Sequence, residues 1–160
     1  IERPPALATD ESGKSPAIFH CGTEVESRLS LEFDTFVDLD ATAPLRLPEY
    51  IREAVALVEE DGAQNVFSVC RSRRSPYFNM VEVSSGGVPR LCKEANPRPV
   101  RRQDTPGTFD MNASIYVWSR KSCYCSFFIF HNHCCASGLV PFMKDNSAIW
   151  IITARSIQSY

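Results

Sequence analysis

Ile51, Ala54, Val55 and Val58 recur at the three- and four-residue steps of one helix face, while Glu49, Arg52, Glu53, Glu59 and Glu60 fall off that stripe. Pro48 suits the first turn of this helix, because its missing N–H would be unpaired there anyway. Asp61-Gly62 ends it. On its N-terminal side, residues 34–40 hold Phe36, Val37 and Leu39 and predict a buried strand, broken by residues 41–44. On its C-terminal side, residues 66–70 (VFSVC) predict the next strand. Strand, helix and strand with short connections predict a βαβ unit, with parallel strands and a right-handed crossover. Farther along, residues 77–83 and 88–92 predict two antiparallel strands joined across Ser84-Ser85-Gly86-Gly87. A basic, proline-rich loop over 96–107 leads to a strand at 114–118 (SIYVW), and a last strand is expected at 148–152 (AIWII). The opening stretch to Ser15 reads as loop, and residues 16–31 lean towards a helix. Residues 122–140 follow neither period.

Composition narrows the class without naming a function. The chain has 160 residues, enough for one domain with a true core. Hydrophobic residues make up 44% and charged residues 22%, the balance of a soluble globular protein. The net charge of −2 offers no reason to expect nucleic acid as a partner. No apolar run is long enough to cross a membrane. Seven cysteines are an odd number without the spacing of a disulfide scaffold, which predicts a reducing, cytoplasmic compartment. The start, Ile1-Glu2-Arg3-Pro4-Pro5, carries neither an initiator Met nor a signal-peptide pattern, so the expectation is a fragment.

Two blocks carry candidate chemistry. Asp38-Leu39-Asp40-Ala41-Thr42-Ala43-Pro44-Leu45-Arg46 ends a predicted parallel strand and precedes a helix. Open α/β sheets bind ligands at that edge, where the Thr42 hydroxyl, turn N–H groups and the Arg46 guanidinium could meet a nucleotide or sugar. The plainer alternative is a strand-end turn with capping roles. Arg101-Arg102-Gln103-Asp104-Thr105-Pro106 then leads towards Asn112-Ala113-Ser114-Ile115-Tyr116. Guanidinium forks bind two oxygens at once, so this loop could clamp an acidic substrate. A solvated charge run is the alternative. A third block, Arg3-Pro4-Pro5-Ala6-Leu7-Ala8-Thr9-Asp10, is uninformative alone.

In this order, RPPALATD, DATAPLR, RRQDTP and NASIY resemble the acylneuraminate cytidylyltransferase family. Its members commonly show RP-x-x-LA-(S/T)-D, a (Q/D)-x-TSPLR-like segment before a helix, an R-Q-x-x-P-like loop and an N-G-(A/S)-I-Y strand. The resemblance runs from Ile1 to about Trp118 and weakly from Phe142 to Gln158. It implies a Rossmann-like, three-layer α/β nucleotidyltransferase fold with a mainly parallel sheet, here incomplete at the N-terminus. It also implies transfer of CMP from CTP to a nonulosonic acid such as N-acetylneuraminate, with release of pyrophosphate, assistance from magnesium (Mg2+), and a homodimer in the full-length protein. Carried over by position, Asp40 falls where the family often has a sugar-contacting Gln, which points to a different sugar such as a legionaminate-like acid. Thr42 and Arg46 match the loop beside it, Arg102 and Gln103 the basic loop of the sugar site, and Asn112 and Tyr116 the strand lining it. Phe142 matches one of two aromatic residues near the sugar.

Some family features are absent from the chain. The glycine-rich AR-x-G-SKG loop that cradles the triphosphate has no counterpart. Ser12-Gly13-Lys14-Ser15 mimics the tail of a P-loop, but Ala8 stands where the earlier glycine is required. The acidic S-I-D-I-D segment that helps hold magnesium is matched by Ser156-Ile157-Gln158-Ser159-Tyr160, without either aspartate. Ala113 replaces the usual glycine and adds a β-carbon where backbone approaches the substrate. These losses keep a second expectation open, a catalytically inactive remnant that binds sugar or dimerises. A sugar-binding or scaffolding domain unrelated to nucleotides is a third. Cys123, Cys125, His131, His133, Cys134 and Cys135 could supply zinc ligands, but C-x-C and H-x-H-C-C do not fit the usual spacing, and incidental cysteines or an atypical segment over 122–140 are the alternatives. His20 stands alone and reads as structural.

Overall fold

The computed structural model describes residues 1–125, 134–140 and 150–156, with side chains as far as Tyr124. Helix α1 spans Lys14–Leu29, strand β1 Thr35–Leu39, helix α2 Pro48–Glu59 and strand β2 Asn65–Arg71. A small hairpin follows, β3 Val81–Val83 and β4 Pro89–Leu91. Strand β5 is Phe109–Ser119, helix α3 Arg120–Cys125, strand β6 Cys134–Val140 and strand β7 Trp150–Ser156. The result is a small α/β domain.

Five strands form one sheet in the order β1-β5-β2-β7-β6, and every described pairing is antiparallel. This corrects the expectation of a mainly parallel sheet. β1 and β2 do run in the same direction, since each is antiparallel to β5. They are not neighbours. β5 returns after the long excursion over 72–108 and fills the slot between them, so no parallel ladder forms. The expected hairpin is present but short, at three residues per strand. β5 begins earlier than the apolar run SIYVW, because Phe109 and Asp110 already pair with Arg71 and Cys70.

The two long helices lie on opposite faces of the sheet, because side chains alternate along a strand. Ala54 and Val58 of α2 pack with Val66, Ile115 and Val117 in the buried core. On the other face, Gly22 of α1 rides on the Phe36 ring so closely that a β-carbon there would sit 2.7 Å from Cε1. β1 is an edge strand rather than the buried one expected. Its Val37 and Leu39 are 41% and 40% exposed, because no described strand pairs beyond it.

A buried carboxylate locks α1 to the far end of β5. Glu26 accepts hydrogen bonds from the Phe33 N–H at 2.8 Å, from the Tyr124 hydroxyl at 2.7 Å, and from the Arg120 guanidinium. Arg120 also donates to the Phe33 carbonyl at 3.1 Å and lies over the Tyr124 ring. The Arg120 hydrogen bond and then the Phe33 N–H hold the Glu26 carboxyl down at a pKa of about 2. Burial first, and then Glu26, push the Tyr124 hydroxyl up to about 12.

Candidate functional site

Because β1 and β2 point the same way, their C-terminal ends open on one edge of the sheet. Residues 40–46 leave β1 there and residues 72–74 leave β2 there. Asn112, Ala113 and Ser114 of β5 lie between them at the same level, since the Asp40 N–H donates to the Ser114 carbonyl at 3.3 Å. The Asp40–Arg46 and Asn112–Ser114 segments therefore reach one edge, although they are far apart along the chain.

Asp40 is fixed from two directions. Its Oδ1 accepts the Thr42 N–H at 2.9 Å and the Thr42 hydroxyl at 2.7 Å, the geometry of an Asx turn. Its main-chain carbonyl accepts Nη2 of Arg46 at 2.6 Å. The other terminal nitrogen of Arg46 donates to the Ser114 carbonyl, also at 2.6 Å. Arg46 thus spans the loop and β5, and its fork holds backbone. The Thr42 hydroxyl, then the Thr42 N–H, and more weakly Lys14 hold the Asp40 carboxyl below the usual carboxylate range.

The middle of the edge is a bulge in β5. Phe67 of β2 pairs with Tyr116 and Val69 with Met111, so Ser68 alone faces the four residues between them. The buried Ser68 hydroxyl donates to Asn112 Oδ1 at 2.6 Å and accepts the Ile115 N–H at 2.9 Å. Asn112 Oδ1 also accepts the Ser114 N–H at 3.3 Å. Ala113 turns the bulge at φ 51°, in the left-handed region that L-residues other than glycine seldom adopt. A glycine there would be relaxed, so backbone conformation accounts for the usual glycine better than close approach of a ligand does.

Tyr116 lies one step in from the edge, paired with Asp38 and stacked on Trp118 with ring centroids 5.8 Å apart. Its hydroxyl titrates above its ordinary value, chiefly from burial. Arg102 and Gln103 occupy a separate 3-10 turn, Arg102–Asp104. Arg102 donates to the Arg73 carbonyl beyond the end of β2, and Gln103 is exposed. Arg101 is engaged by Asp104 at 2.9 Å. The basic loop thus flanks the β2 side of the edge, and no hydrogen bond among the described residues joins it to the Asp40 group. Phe142, His131 and His133 lie outside the described residues, as do the side chains of Cys125, Cys134 and Cys135. His20 is half-buried on α1.

One site residue escaped the sequence reading. Lys14 opens α1, and its ammonium lies 2.7 Å from Asp38 Oδ2 and 3.6 Å from Asp40 Oδ2, with its nitrogen 5.7 Å from the centre of the Tyr116 ring. A cation in the first turn opposes the helix dipole, and that mismatch was the available signal that Lys14 serves something other than the helix. Among the described residues, no three Asp, Glu, His or Cys side chains gather to hold a metal ion. The two carboxylates that do converge, Asp38 and Asp40, share an ammonium instead.

The fold defines an α/β domain with a charge-compensated edge at the ends of two co-directional strands. No protein-family model matches the chain. It is 35% identical over 120 residues to post-translational flagellin modification protein B of Campylobacter coli, and 37% identical over 120 residues to CMP-N,N'-diacetyllegionaminic acid synthase of Campylobacter jejuni. Each of those matches takes in 75% of this chain and 50% of the relative. N-acylneuraminate cytidylyltransferase of Oncorhynchus mykiss is 31% identical over 121 residues, 74% of this chain and 26% of that protein. The chain thus spans half or less of the length of these curated relatives. It belongs to the acylneuraminate cytidylyltransferase family.

Proposed function

We propose that this chain forms the acidic-sugar side of a cytidylyltransferase that transfers CMP from CTP to a nonulosonic acid and releases pyrophosphate. The observation that carries the reading is the 37% identity over 120 residues to a protein named as a CMP-N,N'-diacetyllegionaminic acid synthase. The convergence of the Asp40 turn, the Asn112 bulge and the Arg102 loop on one sheet edge supports it. So does the β1–α2–β2 crossover, which leaves the C-terminal ends of two co-directional strands on that edge.

In this reading Asp40, with the Thr42 turn behind it, accepts a hydroxyl or amide N–H of the sugar. Arg102, tethered to the Arg73 carbonyl, offers its remaining guanidinium donors to the sugar carboxylate, with Gln103 beside it. Tyr116 contributes apolar surface against the sugar, and Asn112 lines the floor. The anomeric hydroxyl then attacks the α-phosphorus of CTP, the bond to pyrophosphate breaks, and the hydroxyl proton leaves to solvent. Magnesium enters with CTP as part of the nucleotide substrate. The full-length protein works as a homodimer in the cytoplasm.

The test is pyrophosphate release from CTP and magnesium by the protein encoded by the gene, offered N-acetylneuraminate, N,N'-diacetyllegionaminate or a neutral hexose. Release with an acidic nine-carbon sugar alone is expected, together with the CMP-sugar by mass. Tight sugar binding without any pyrophosphate refutes the transferase reading.

A further inference from the structure

An edge that receives an acidic sugar should not present bare carboxylates, yet Asp38 and Asp40 both stand on it. They are two residues apart on one strand and its extension, so their side chains lie on the same face. Their side chains are only 15% and 25% exposed, whereas that of Lys14 is 53% exposed. The ammonium is thus the outermost charge of the three. It reaches both carboxylates from a different element and is backed by the Tyr116 ring.

We propose that Lys14 is a specificity-determining residue of this edge, admitting an anionic sugar by cancelling the charge of Asp38 and Asp40. The inference rests on the proposed function and extends it to a residue outside the sequence blocks. With Lys14 in place, Asp40 keeps its acceptor oxygens while the field facing the ligand loses much of its repulsion. Without Lys14, a substrate carboxylate meets an uncompensated negative pair. The ion-pair geometry also raises the Lys14 pKa despite the opposing effect of burial, so the cation persists throughout the neutral range.

The experiment is a calorimetric titration of the full protein with N-acetylneuraminate and with its methyl ester, which lacks the charge. Lys14→Met is expected to weaken binding of the free acid roughly tenfold, the order of one unit charge acting across a partly screened site. Binding of the ester should stay as in the wild type. Lys14→Arg should retain most of the affinity, and Lys14→Met combined with Asp38→Asn should recover much of the loss. Arg52→Gln removes one positive charge from exposed α2 and should change neither ligand. Equal binding of the acid by wild type and Lys14→Met overturns the inference. So does an equal loss for acid and ester, which marks a structural role only, and so does failure of the double variant to recover. If the wild type binds neither ligand, the functional reading falls and takes this inference with it.

Discussion

Replacing Ala113 by glycine should stabilise the protein, against the usual rule that glycine weakens a strand. Ala113 sits at φ 51° in the bulge of β5, flanked by Asn112, whose amide is hydrogen-bonded to Ser68, and by Ser114, whose carbonyl is bonded to Arg46. An L-residue in the left-handed region costs about 1–2 kcal/mol, because Cβ crowds the following carbonyl. Glycine removes that penalty and adds back about 0.5–1 kcal/mol through the greater freedom of the unfolded chain. The balance is a gain of about 0.5–1 kcal/mol. For a chain of this length, that raises Tm by about 1–4 °C. Urea unfolding gives the cleaner reading, because a shift in midpoint at constant slope reports stability alone. Ala113→Val provides the opposite sign, since a β-branched residue is still less suited to positive φ. A lower midpoint for Ala113→Gly, or wild-type stability for Ala113→Val, would falsify the strain argument.

Three further outcomes are expected. Gly22→Ala should lower stability by about 1 kcal/mol, because the overpacking of Cβ at 2.7 Å from the Phe36 ring outweighs the gain in helix propensity; Phe36→Leu in the same background should recover part of the loss, and a more stable Gly22→Ala refutes the close approach. The Glu26 carboxyl is held at about 2 against an ordinary value of 4.5, so its contribution is complete above about pH 4.5 and is lost as pH falls from there to about 2. Thermal melts across that window should fall more steeply for wild type than for Glu26→Gln, and parallel curves count against the Arg120 and Phe33 contacts. Arg46→Lys leaves one of two carbonyls without its charged donor and should cost about 1.5–3 kcal/mol in urea unfolding; an unchanged midpoint means that Arg46 does not pin the loop.

Helix α2 was legible because its stripe is a local property, and Pro48 and Asp61-Gly62 mark its ends within a few residues. β1 and β2 were legible as strands for the same reason. Their relation to each other was not. Which strand fills the slot between them is settled by β5, whose N-terminal half is polar and bulged and therefore hides its period. Exposure of β1 is likewise set by its place in the sheet order, which no five-residue window records. Among the site residues, Asp40 and Thr42 form an Asx turn that the segment D-A-T suggests by itself. The bridging role of Arg46 requires the Ser114 carbonyl, and the role of Lys14 requires Asp38 and Asp40, each supplied by another element. Such partners become visible only when the chain is folded.

Stability and the geometry of the candidate edge share one set of bonds, which explains why a strained residue is tolerated there. Ser68 on β2 fixes Asn112 and Ile115, and the turn between them presents the Ser114 carbonyl to the Asp40 N–H and to Arg46 together. Arg46 in turn holds the Asp40 carbonyl, and Thr42 aims the carboxylate. Strain at one residue persists only when its surroundings over-determine it, and here Asn112, Ser114 and Ser68 each carry a bond that a relaxed, regular strand would rearrange. A regular β5 would pair with β2 without interruption and would turn the Ser114 carbonyl elsewhere. Asp40 would then lose its backbone anchor, and with it the fixed distance to Lys14. The left-handed turn at Ala113 is thus the local cost of placing an acceptor carboxylate, already compensated, at the C-terminal end of β1.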